Sequence, residues 1–458
     1  MTTYRPDPQI LTLGTDFYDP VEAANFPQCT LRFANGRCAE RIGFQLGEQE
    51  WTSHFCRFQP LPDNLERPLA LRYHGHQFRV YNPEIGDGRG FLFAQLRDDR
   101  GRLLDLGTKG SGQTPYSRHA DGRLTLKGGV REVLATEMLE ALGVNTSKTF
   151  ALVETGEQLE RGDEPSPTRS AVLTRLSHGH IRIGSFQRLA FFGQAENIAK
   201  LTRYCLENLY AEQPSGDDGA DALRLFDLVS GATARLAASY LAAGFVHGVL
   251  NSDNINVAGE SFDYGPWRFT PEWEPDFTAA YFDHYGLYAF GRQPEAIHWD
   301  LAQLAGCLSM IADAPAIADL FAAWSPRFED ALVEAFIRRL GITPGDNDRE
   351  VAAALIEALA TRAGTIDAIF FDWRGGRDPG SERYPQPEFR KLARLLQGRE
   401  KPPSHPYWSD AGPCSLHIDE VEAIWAAIAE RDDWQPFEEK VEAIRRMGEA
   451  MEQDGPAA

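Results

Sequence analysis

Short apolar runs separated by glycine-rich and polar turns fill the first half of the chain, a pattern typical of β-strands. The turn at 84–89 is predicted to join the first two strands as a hairpin. Apolar residues recur at helical spacing from Val130 to Leu142, which predicts one long helix. The predicted strands span residues 78–81, 90–96, 103–109, 144–154 and 170–176.

From about Gly193 onward the apolar residues follow the period of a helix. The exception is a small predicted hairpin, with Asn254–Val257 and Ser261–Asp263 as its strands. The fold class is therefore predicted to be α+β, with a β-rich N-terminal lobe at 1–193 and a mostly helical C-terminal lobe at 194–458. The predicted helices span residues 195–210, 222–243, 299–312, 316–340, 350–363 and 419–430.

A chain of 458 residues, 43% hydrophobic and 25% charged, suits a globular protein of two lobes. Its net charge of −21 argues against nucleic acid as a partner, because neutralising phosphates needs clustered Lys and Arg. The same charge argues against binding to a membrane surface. We therefore expect neither a nucleic-acid partner nor a membrane partner.

The start of the chain lacks the basic segment and apolar core of a secretory signal, and no apolar run is long enough to span a bilayer. The six cysteines are scattered without a Cys-x-x-Cys pair, which favours reduced thiols. The pairs His74-x-His76 and His178-x-His180 have no further ligand close in sequence to complete a zinc set, so we expect them to be structural. These features predict a cytoplasmic protein.

The string His247-Gly-Val-Leu-Asn-Ser-Asp-Asn254, followed by Asp263-Tyr-Gly, carries the clearest chemistry in the chain. It has the spacing of a protein-kinase catalytic loop and metal-binding turn, His-x-Asp-x-x-x-x-Asn and then Asp-Phe-Gly. Asn254 and Asp263 occupy the two metal-ligand places, and they supply the oxygen atoms that Mg²⁺ or Mn²⁺ prefers. The place of the catalytic Asp is taken by Val249, which cannot accept a proton.

Val249 leaves two interpretations open. The chain is either a catalytically silent relative of kinases, or an enzyme in which Asp253, beside Asn254, is the base toward an incoming hydroxyl. A turn rich in Asn and Asp at the entry of the hairpin is the structural alternative. The kinase spacing favours a functional site. Together with the lobe pattern, it predicts a bilobal protein-kinase-like fold.

Gly86-Asp-Gly88-Arg89 lies between two predicted strands, where kinases hold a nucleotide under a glycine-rich loop. Glycines let backbone N–H groups approach phosphate, and Arg89 can add a bidentate contact. An ordinary hairpin turn explains the same string, because Asp-Gly is common in such turns.

Lys109 ends the third predicted strand, at the place of the kinase lysine that binds phosphate and pairs with a glutamate on the lobe's helix. Glu132 is the proposed partner. It is predicted to open the helix, where a negative charge also suits the helix dipole. Glu137 and Glu140 are rival partners on the same helix.

Four further residues carry weaker signals. Asp121-Gly122 lies in a polar loop before the helix, where backbone amides can bind phosphate. Arg175 and Arg182 lie near the predicted junction of the lobes, where two arginines can clamp a triphosphate. From the residues alone, a surface turn and surface ion pairs are the favoured interpretations.

Taken together, these strings resemble the selenoprotein O family, in family order over about two-thirds of the chain. The resemblance is carried by Gly75-His-Gln-Phe78, Gly86-Asp-Gly-Arg89, Lys109-Gly-Ser-Gly-Gln-Thr-Pro-Tyr-Ser-Arg118, Asp121-Gly-Arg123, Arg131-Glu132, Leu142-Gly-Val144, Ser177-His-Gly-His-Ile-Arg-Ile-Gly-Ser-Phe186, His247–Asn254, Asp263-Tyr-Gly-Pro266 and Gln293-Pro294. The string at 125–129 differs from the family's usual run, Arg79 stands where a Gly is common, and the C-terminal third matches poorly.

The resemblance implies a pseudokinase fold that transfers AMP from ATP to hydroxyl side chains of proteins, using Mg²⁺ or Mn²⁺. It assigns the catalytic role to Asp253 and the metal to Asn254 and Asp263. A kinase that transfers the γ-phosphate, and a silent ATP-binding scaffold, are the alternatives. The residues implied to bind nucleotide are Gly86, Gly88, Arg89, Lys109, Asp121, Gly122, Arg175, Arg182 and Asp263, with Glu132 pairing Lys109.

Overall fold

The structure is a computed structural model that describes residues 3–162 and 164–455, and its fold is α+β. The strands are β1 Tyr18–Pro20, β2 Thr30–Ala34, β3 Leu69–Leu71, β4 Gly75–Gln77, β5 Val80–Asn82, β6 Leu92–Arg97, β7 Leu103–Lys109, β8 Leu124–Thr125, β9 Lys148–Leu159, β10 Thr168–Ser177, β11 Phe245–Val246 and β12 Arg268–Phe269. The helices are α1 Gly36–Arg41, α2 Glu48–Phe55, α3 Leu126–Ala141, α4 Ile183–Phe191, α5 Ala195–Leu209, α6 Asp218–Ala243, α7 Gln293–Leu308, α8 Ala314–Ala322, α9 Trp324–Leu340, α10 Asp348–Ala360, α11 Ile366–Asp372, α12 Pro387–Leu396, α13 Ile418–Arg431 and α14 Gln435–Gln453.

An antiparallel sheet occupies the N-terminal part of the described chain. Its strand order is β1-β3-β6-β7-β10-β9-β2, and β8 pairs with β10. In β6, β7 and β10 nearly every position is buried, so both faces of these central strands are covered. This explains why their sequences are apolar runs and not strict alternations.

Helix α3 packs closely against the sheet. It begins at Thr125, whose hydroxyl accepts a hydrogen bond from the Gly128 amide at 3.1 Å, as expected of an N-cap residue. Position 129 lies so near the sheet that a Cβ there would come within 2.4 Å of Leu152 on β9. Glycine at this position therefore permits the close approach of helix and strand.

Helices follow the sheet, as the periodicity predicts. The longest, α6, begins at Asp217, whose side chain accepts from the Ala220 amide at 2.9 Å, and ends at Gly244 with φ of 69°. It leads directly into β11 and the predicted catalytic loop. The predicted helix at 316–340 is two helices, α8 and α9, separated at Ala323. None of the helices in the described part of the chain is long and apolar enough to cross a lipid bilayer.

Two predicted hairpins are wrong. β5 pairs with β4, whereas β6 pairs with β3 and β7, so the segment 84–89 is a loop that crosses between two sheets. It binds β3 through the Asp87 amide, which donates to the Leu71 carbonyl at 3.1 Å. The contact of the segment 84–89 with the distant strand β3 therefore replaces the predicted hairpin turn.

The hairpin predicted at 254–263 does not form either. Asn256 bridges to Arg182, and Ser261 bridges to Thr146, so each predicted strand pairs with a distant segment. The intervening residues still make a turn, closed by the Gly259 amide on the Asn256 carbonyl at 2.9 Å. Residues of both predicted strands therefore form β-bridges, but with distant segments and not with each other.

The prediction that all thiols are reduced is wrong for one pair, because Cys29 and Cys56 form a disulfide. Cys29 precedes β2 and Cys56 follows α2, and folding brings them together across 27 residues of sequence. That spacing belongs to no short cysteine motif, so it could not be predicted from the sequence alone. The thiols of Cys38, Cys205, Cys307 and Cys414 are free.

Candidate active site

The predicted catalytic loop follows β11 and is held to the segment before Asp263. The His247 Nε2–H donates to the Phe262 carbonyl at 3.0 Å, and the His247 amide donates to Gln293 Oε1 at 2.9 Å. Because a carbonyl only accepts, the proton is on Nε2. His247 thus ties the two halves of the predicted motif together.

Asp253 lies in a single 3₁₀ turn, Ser252–Asn254, that docks on β4 and the residue after it. The His76 amide donates to Ser252 Oγ at 2.7 Å, and the Phe78 amide donates to Asn251 Oδ1 at 3.0 Å. A Cβ at position 75 would come within 2.8 Å of the Asp253 Cβ. Glycine in the Gly75-His-Gln-Phe string therefore makes room for the carboxylate.

The Asp253 carboxyl is buried, and its Oδ1 has no hydrogen-bond partner among the described residues. Burial raises the pKa of Asp253 to about 6, although the positive charge of Arg182 opposes the shift. A carboxylate with a pKa near neutrality and an unpartnered oxygen is suited to accept a proton from a substrate hydroxyl.

Asn254 and Asp263 face the same cavity. The Asn254 Nδ2 donates to the Val249 carbonyl at 3.0 Å, so the amide oxygen is the end left for a ligand. Asp263 has φ of 58°, in the left-handed region that Asp tolerates better than most residues. The valine in the usual place of the catalytic Asp therefore anchors Asn254 through its backbone.

Arg175 and Arg182 converge on the Asp263 carboxylate. Arg175 Nη1 lies 2.5 Å from Oδ1, and Arg182 Nη2 lies 3.1 Å from Oδ2. Both guanidinium groups also lie over the Phe262 ring. Burial on its own raises the pKa of Asp263, but the two arginines hold it well below its ordinary value.

The two arginines are 5% and 2% exposed, so the interpretation as surface ion pairs is wrong. Arg175 is fixed further by its Nε, which donates to His180 Nε2 at 3.1 Å, while His180 Nδ1 donates to Asp105 at 3.0 Å. His180, from the pair His178-x-His180, is thus a structural residue that orients Arg175.

Lys109 pairs with Glu132, its Nζ 2.6 Å from Oε2, and both side chains are buried. Burial lowers the pKa of Lys109, and the charge of Glu132 opposes that shift. The rivals pair elsewhere, Glu137 with Arg445 and Glu140 with Lys148.

The sequence suggested that Glu132 opens the helix, and this prediction is wrong. The helix α3 begins six residues earlier, at Leu126. Glu132 therefore lies in the interior of α3, beyond the reach of the dipole at the helix start. Its role is the pairing with Lys109.

These groups surround one cavity of about 380 Å³ between the sheet and the catalytic loop. Cations outnumber carboxylates in its lining, although the chain as a whole is acidic, so the cavity is suited to a polyanion. The lining cations are Arg89, Lys109, Arg118, Arg175 and Arg182, and the lining carboxylates are Asp87, Asp253 and Asp263.

The glycine-rich loop is covered by the segment after β7. Ser117 Oγ donates to the Gly88 carbonyl at 2.5 Å, and a Cβ at Gly86 would lie 2.5 Å from the Tyr116 ring. Gly86, Gly88 and Arg89 all line the cavity. Side chains here would displace the covering segment, which is a steric reason for both glycines.

Asp121 and Gly122 do not line this cavity, although the residue before them, Ala120, does. The Asp121 carboxylate pairs with Arg161 at 2.8 Å. Gly122 has φ of 70° and packs against Gly112, where a Cβ would approach to 2.3 Å. Their predicted contact with nucleotide stays a prediction, and the visible role of Gly122 is to close the covering segment.

Sequence reasoning missed several residues that line the cavity, among them Tyr73, Gln77, Asp87 and Tyr116. Arg182 lies over the Tyr73 ring at 4.1 Å and 3.5 Å from Asp87. Asp87 lies inside the glycine-rich string, which was the available signal. Tyr73 belongs to no motif and is recognised only from its place against Arg182.

The oxygen donors suit a hard divalent cation. The amide oxygen of Asn254 and the carboxylate of Asp263 line the same cavity and are both oxygen donors. A carboxylate has about four lone-pair sites, so the arginine contacts leave Asp263 able to bind a cation. Across residues 3–162 and 164–455 no three His, Cys, Asp or Glu side chains form a ready-made cage.

Comparison with known proteins gives the family. The family model described as Protein adenylyltransferase SelO matches residues 1–376. The chain therefore belongs to the SelO family, and it is an enzyme of the nucleotidyltransferase class.

Relatives extend the similarity almost to the ends of the chain. A protein named Protein nucleotidyltransferase YdiU from Synechocystis sp. (strain ATCC 27184 / PCC 6803 / Kazusa) is 40% identical, over 96% of this chain and 97% of the relative. A protein of the same name from Gloeobacter violaceus is 42% identical, over 96% of this chain and 95% of the relative. The C-terminal third, which matches the motifs poorly, thus aligns with relatives although the family model ends at 376.

Proposed function

We propose that this enzyme transfers AMP from ATP to Ser, Thr or Tyr hydroxyls of proteins, with Mg²⁺ or Mn²⁺ bound at Asn254 and Asp263. The observation that carries the proposal is the buried Asp253 carboxylate, unpartnered at Oδ1 and directly beside Asn254. The names of the family and of its relatives support nucleotide transfer to protein.

The phosphates of ATP would lie among Lys109, Arg175 and Arg182. These cations are already positioned by Glu132 and Asp263, so little reorganisation is needed when a polyanion enters. Backbone amides of the loop at Gly86 and Gly88, with Arg89, would hold the outer phosphates. When bound, the divalent cation supplies charge neutralisation on the phosphates.

Asp253 would act as the general base. The substrate hydroxyl oxygen forms a bond to the α-phosphorus, and its proton passes to the Asp253 carboxylate. The bond from the α-phosphorus to the oxygen bridging to the β-phosphate breaks, and pyrophosphate leaves. Orientation of the hydroxyl and neutralisation of the leaving group account for most of the rate.

We infer a bilobal kinase-like architecture divided near residues 193 and 194. Support comes from the antiparallel sheet, which lies before residue 178, and from the pairing of a strand lysine with a glutamate on α3. Helix-rich structure follows from α4 onward. The cavity between the sheet and the catalytic loop corresponds to the nucleotide cleft of such a fold.

The experiment that tests the function uses ATP labelled separately at the α- and γ-phosphate. Purified protein is incubated with a protein acceptor and Mg²⁺ or Mn²⁺, and the products are analysed by intact-protein mass spectrometry. We expect α-label with an AMP-sized mass increment. Label from the γ-phosphate alone would establish a kinase, and ATP binding without any transfer would establish a silent scaffold.

Replacing Lys109 with methionine is expected to lower kcat/KM for ATP by about 10²-fold, in the range seen when a preorganised electrostatic donor is removed. The reason is that the lysine charge is buried at the phosphate site and paired with Glu132. Steady-state kinetics with α-labelled ATP measure the loss.

Lys391→Met is the matched control, because Lys391 forms an exposed ion pair with Glu357, and unchanged kinetics are expected there. Equal kinetics in the Lys109 variant and the wild type would contradict the assignment of Lys109 to the phosphates.

A further inference from the structure

The last two helices, α13 and α14, return to the N-terminal half of the chain and bind both ends of α3. We refer to residues 418–453 as the C-terminal clamp. Near the start of α3, Lys127 Nζ lies 2.7 Å from Glu422 Oε2 of α13. Near its end, the Glu137 carboxylate accepts two hydrogen bonds from Arg445 of α14, each 2.8 Å long.

The contact at Glu137 is the stronger of the two. Glu137 is 4% exposed, and Arg445 binds it in the bidentate geometry that makes arginine–carboxylate pairs directional. Arg37 adds a contact to Oε2 at 3.0 Å. Closer to the helix end, a Cβ at Gly448 would lie 3.3 Å from Ala141, so α14 and α3 approach closely there.

The two clamp contacts flank Glu132, the residue that pairs with Lys109. Lys127 and Glu137 are each five residues from Glu132, which is about 7.5 Å along a helix axis on either side. Five residues also turn a helix by about 140°, so Glu132 and Glu137 lie on different faces. One face of α3 therefore binds the site lysine, and another binds the clamp.

The Lys109–Glu132 contact of 2.6 Å depends on where α3 lies and how it is rotated. Apolar packing resists separation of helix and sheet but is less directional than a hydrogen bond. The bidentate pair at Glu137 is directional, so it opposes rotation of α3 about its axis.

We propose that Glu137 and Arg445 are positioning residues, which hold α3 so that Glu132 orients Lys109 toward the phosphates of the nucleotide. The nature of that ligand rests on the proposed function. The clamp lies beyond residue 376, where the match to the family model ends. On this view the final helices are part of the catalytic apparatus although they lie outside the cavity.

The chain offers a matched control. Arg446 is adjacent to Arg445 on the same helix, but its guanidinium pairs with Asp410 and lies over the Tyr407 ring. Both of these partners lie outside α3. Arg446→Gln thus removes the same charge from α14 without changing the contact to Glu137.

The experiment compares Arg445→Gln, Arg446→Gln, Glu132→Gln and the double variant Arg445→Gln/Glu132→Gln. For each, calorimetry gives the affinity for ATP with Mg²⁺, α-label transfer gives kcat and KM, and thermal unfolding gives Tm. We expect Arg445→Gln to lower kcat by about tenfold and ATP affinity by about threefold, within the usual range of energetic coupling at a distance. Arg446→Gln is expected to stay within about twofold of wild type.

The decisive readout is the double variant. If Arg445 acts through Glu132, adding Arg445→Gln to the Glu132→Gln protein produces no further loss, because the two sites are coupled. An undiminished tenfold loss in that background would overturn the proposal. The proposal would also be overturned if Arg445→Gln lowered the Tm but left kcat and ATP affinity at wild-type values when both are measured at temperatures well below the Tm. That outcome would show that the Glu137–Arg445 pair only stabilises the fold.

Glu137→Gln provides a second route if Arg445→Gln does not fold. It keeps the size of the side chain, and we expect the same loss and the same dependence on Glu132. A failure of the proposed function is distinguishable from a failure of the clamp. If the wild-type protein does not transfer AMP, the proposed function is wrong. The ATP affinities of the variants still measure the coupling of Arg445 to Glu132 in that case.

Discussion

Asp253→Asn is expected to lower the rate of AMP transfer by about 10³-fold, within the range that general bases contribute. Asparagine has nearly the same shape as aspartate but cannot accept the proton of the attacking hydroxyl. ATP affinity should stay within about threefold of wild type, because Lys109, Arg175 and Arg182 hold the phosphates. Single-turnover transfer of α-label and calorimetric binding of ATP measure the two quantities.

The control is Asp410→Asn, which changes an aspartate in an ion pair with Arg446 outside the site and should leave both quantities unchanged. Transfer above about a tenth of the wild-type rate in the Asp253 variant would disprove the assignment of the base, since a general base normally contributes at least about 10².

Asp263→Asn is expected to abolish transfer and also to destabilise the protein, by about 3 kcal/mol in the free energy of unfolding. The carboxylate balances Arg175 and Arg182, which are both buried. Its removal leaves two buried arginine charges close together without the carboxylate that they share. Loss of a metal ligand is expected to weaken binding of the cation and of ATP with it. Chemical denaturation and Mn²⁺-dependent ATP binding measure these effects.

The comparison with Asp253→Asn makes this result specific. Both variants should lose transfer, but only the Asp263 variant should lose stability and nucleotide affinity. An Asp263→Asn protein with wild-type stability and full affinity for ATP would show that the ion-pair cluster is not what organises the phosphate site.

That Asp253, Asn254 and Asp263 line one cavity was predictable because their signal is local. The three residues lie in one short stretch with a fixed spacing, and a loop of that length keeps its members close wherever it is placed. Regular periodicity predicted α3, α5, α6, α7, α10 and α13 for the same reason, since a helix is defined by contacts between residues near in sequence. The break at Ala323 was missed because apolar residues continue across it.

Pairing between distant segments was decided by the tertiary structure. Asp263 is 88 residues from Arg175, and Arg445 is 308 residues from Glu137, so no local pattern records either contact. The same reason explains the two wrong hairpins and the unexpected disulfide between Cys29 and Cys56. In both hairpins a partner from another part of the chain replaced the neighbour that local propensity favours.

The sequence by itself therefore determined which residues are candidates for the proposed chemistry, namely a carboxylate at position 253 beside Asn254, with Asp263 nearby and Val249 in the usual place of the catalytic Asp. The tertiary structure alone decided which of three glutamates pairs with Lys109, that two arginines are buried on Asp263, and that the final helices hold α3. The physical reason is that reactive groups are encoded by residue type and short spacing, whereas their orientation depends on burial and on ion pairs between segments that only folding brings together.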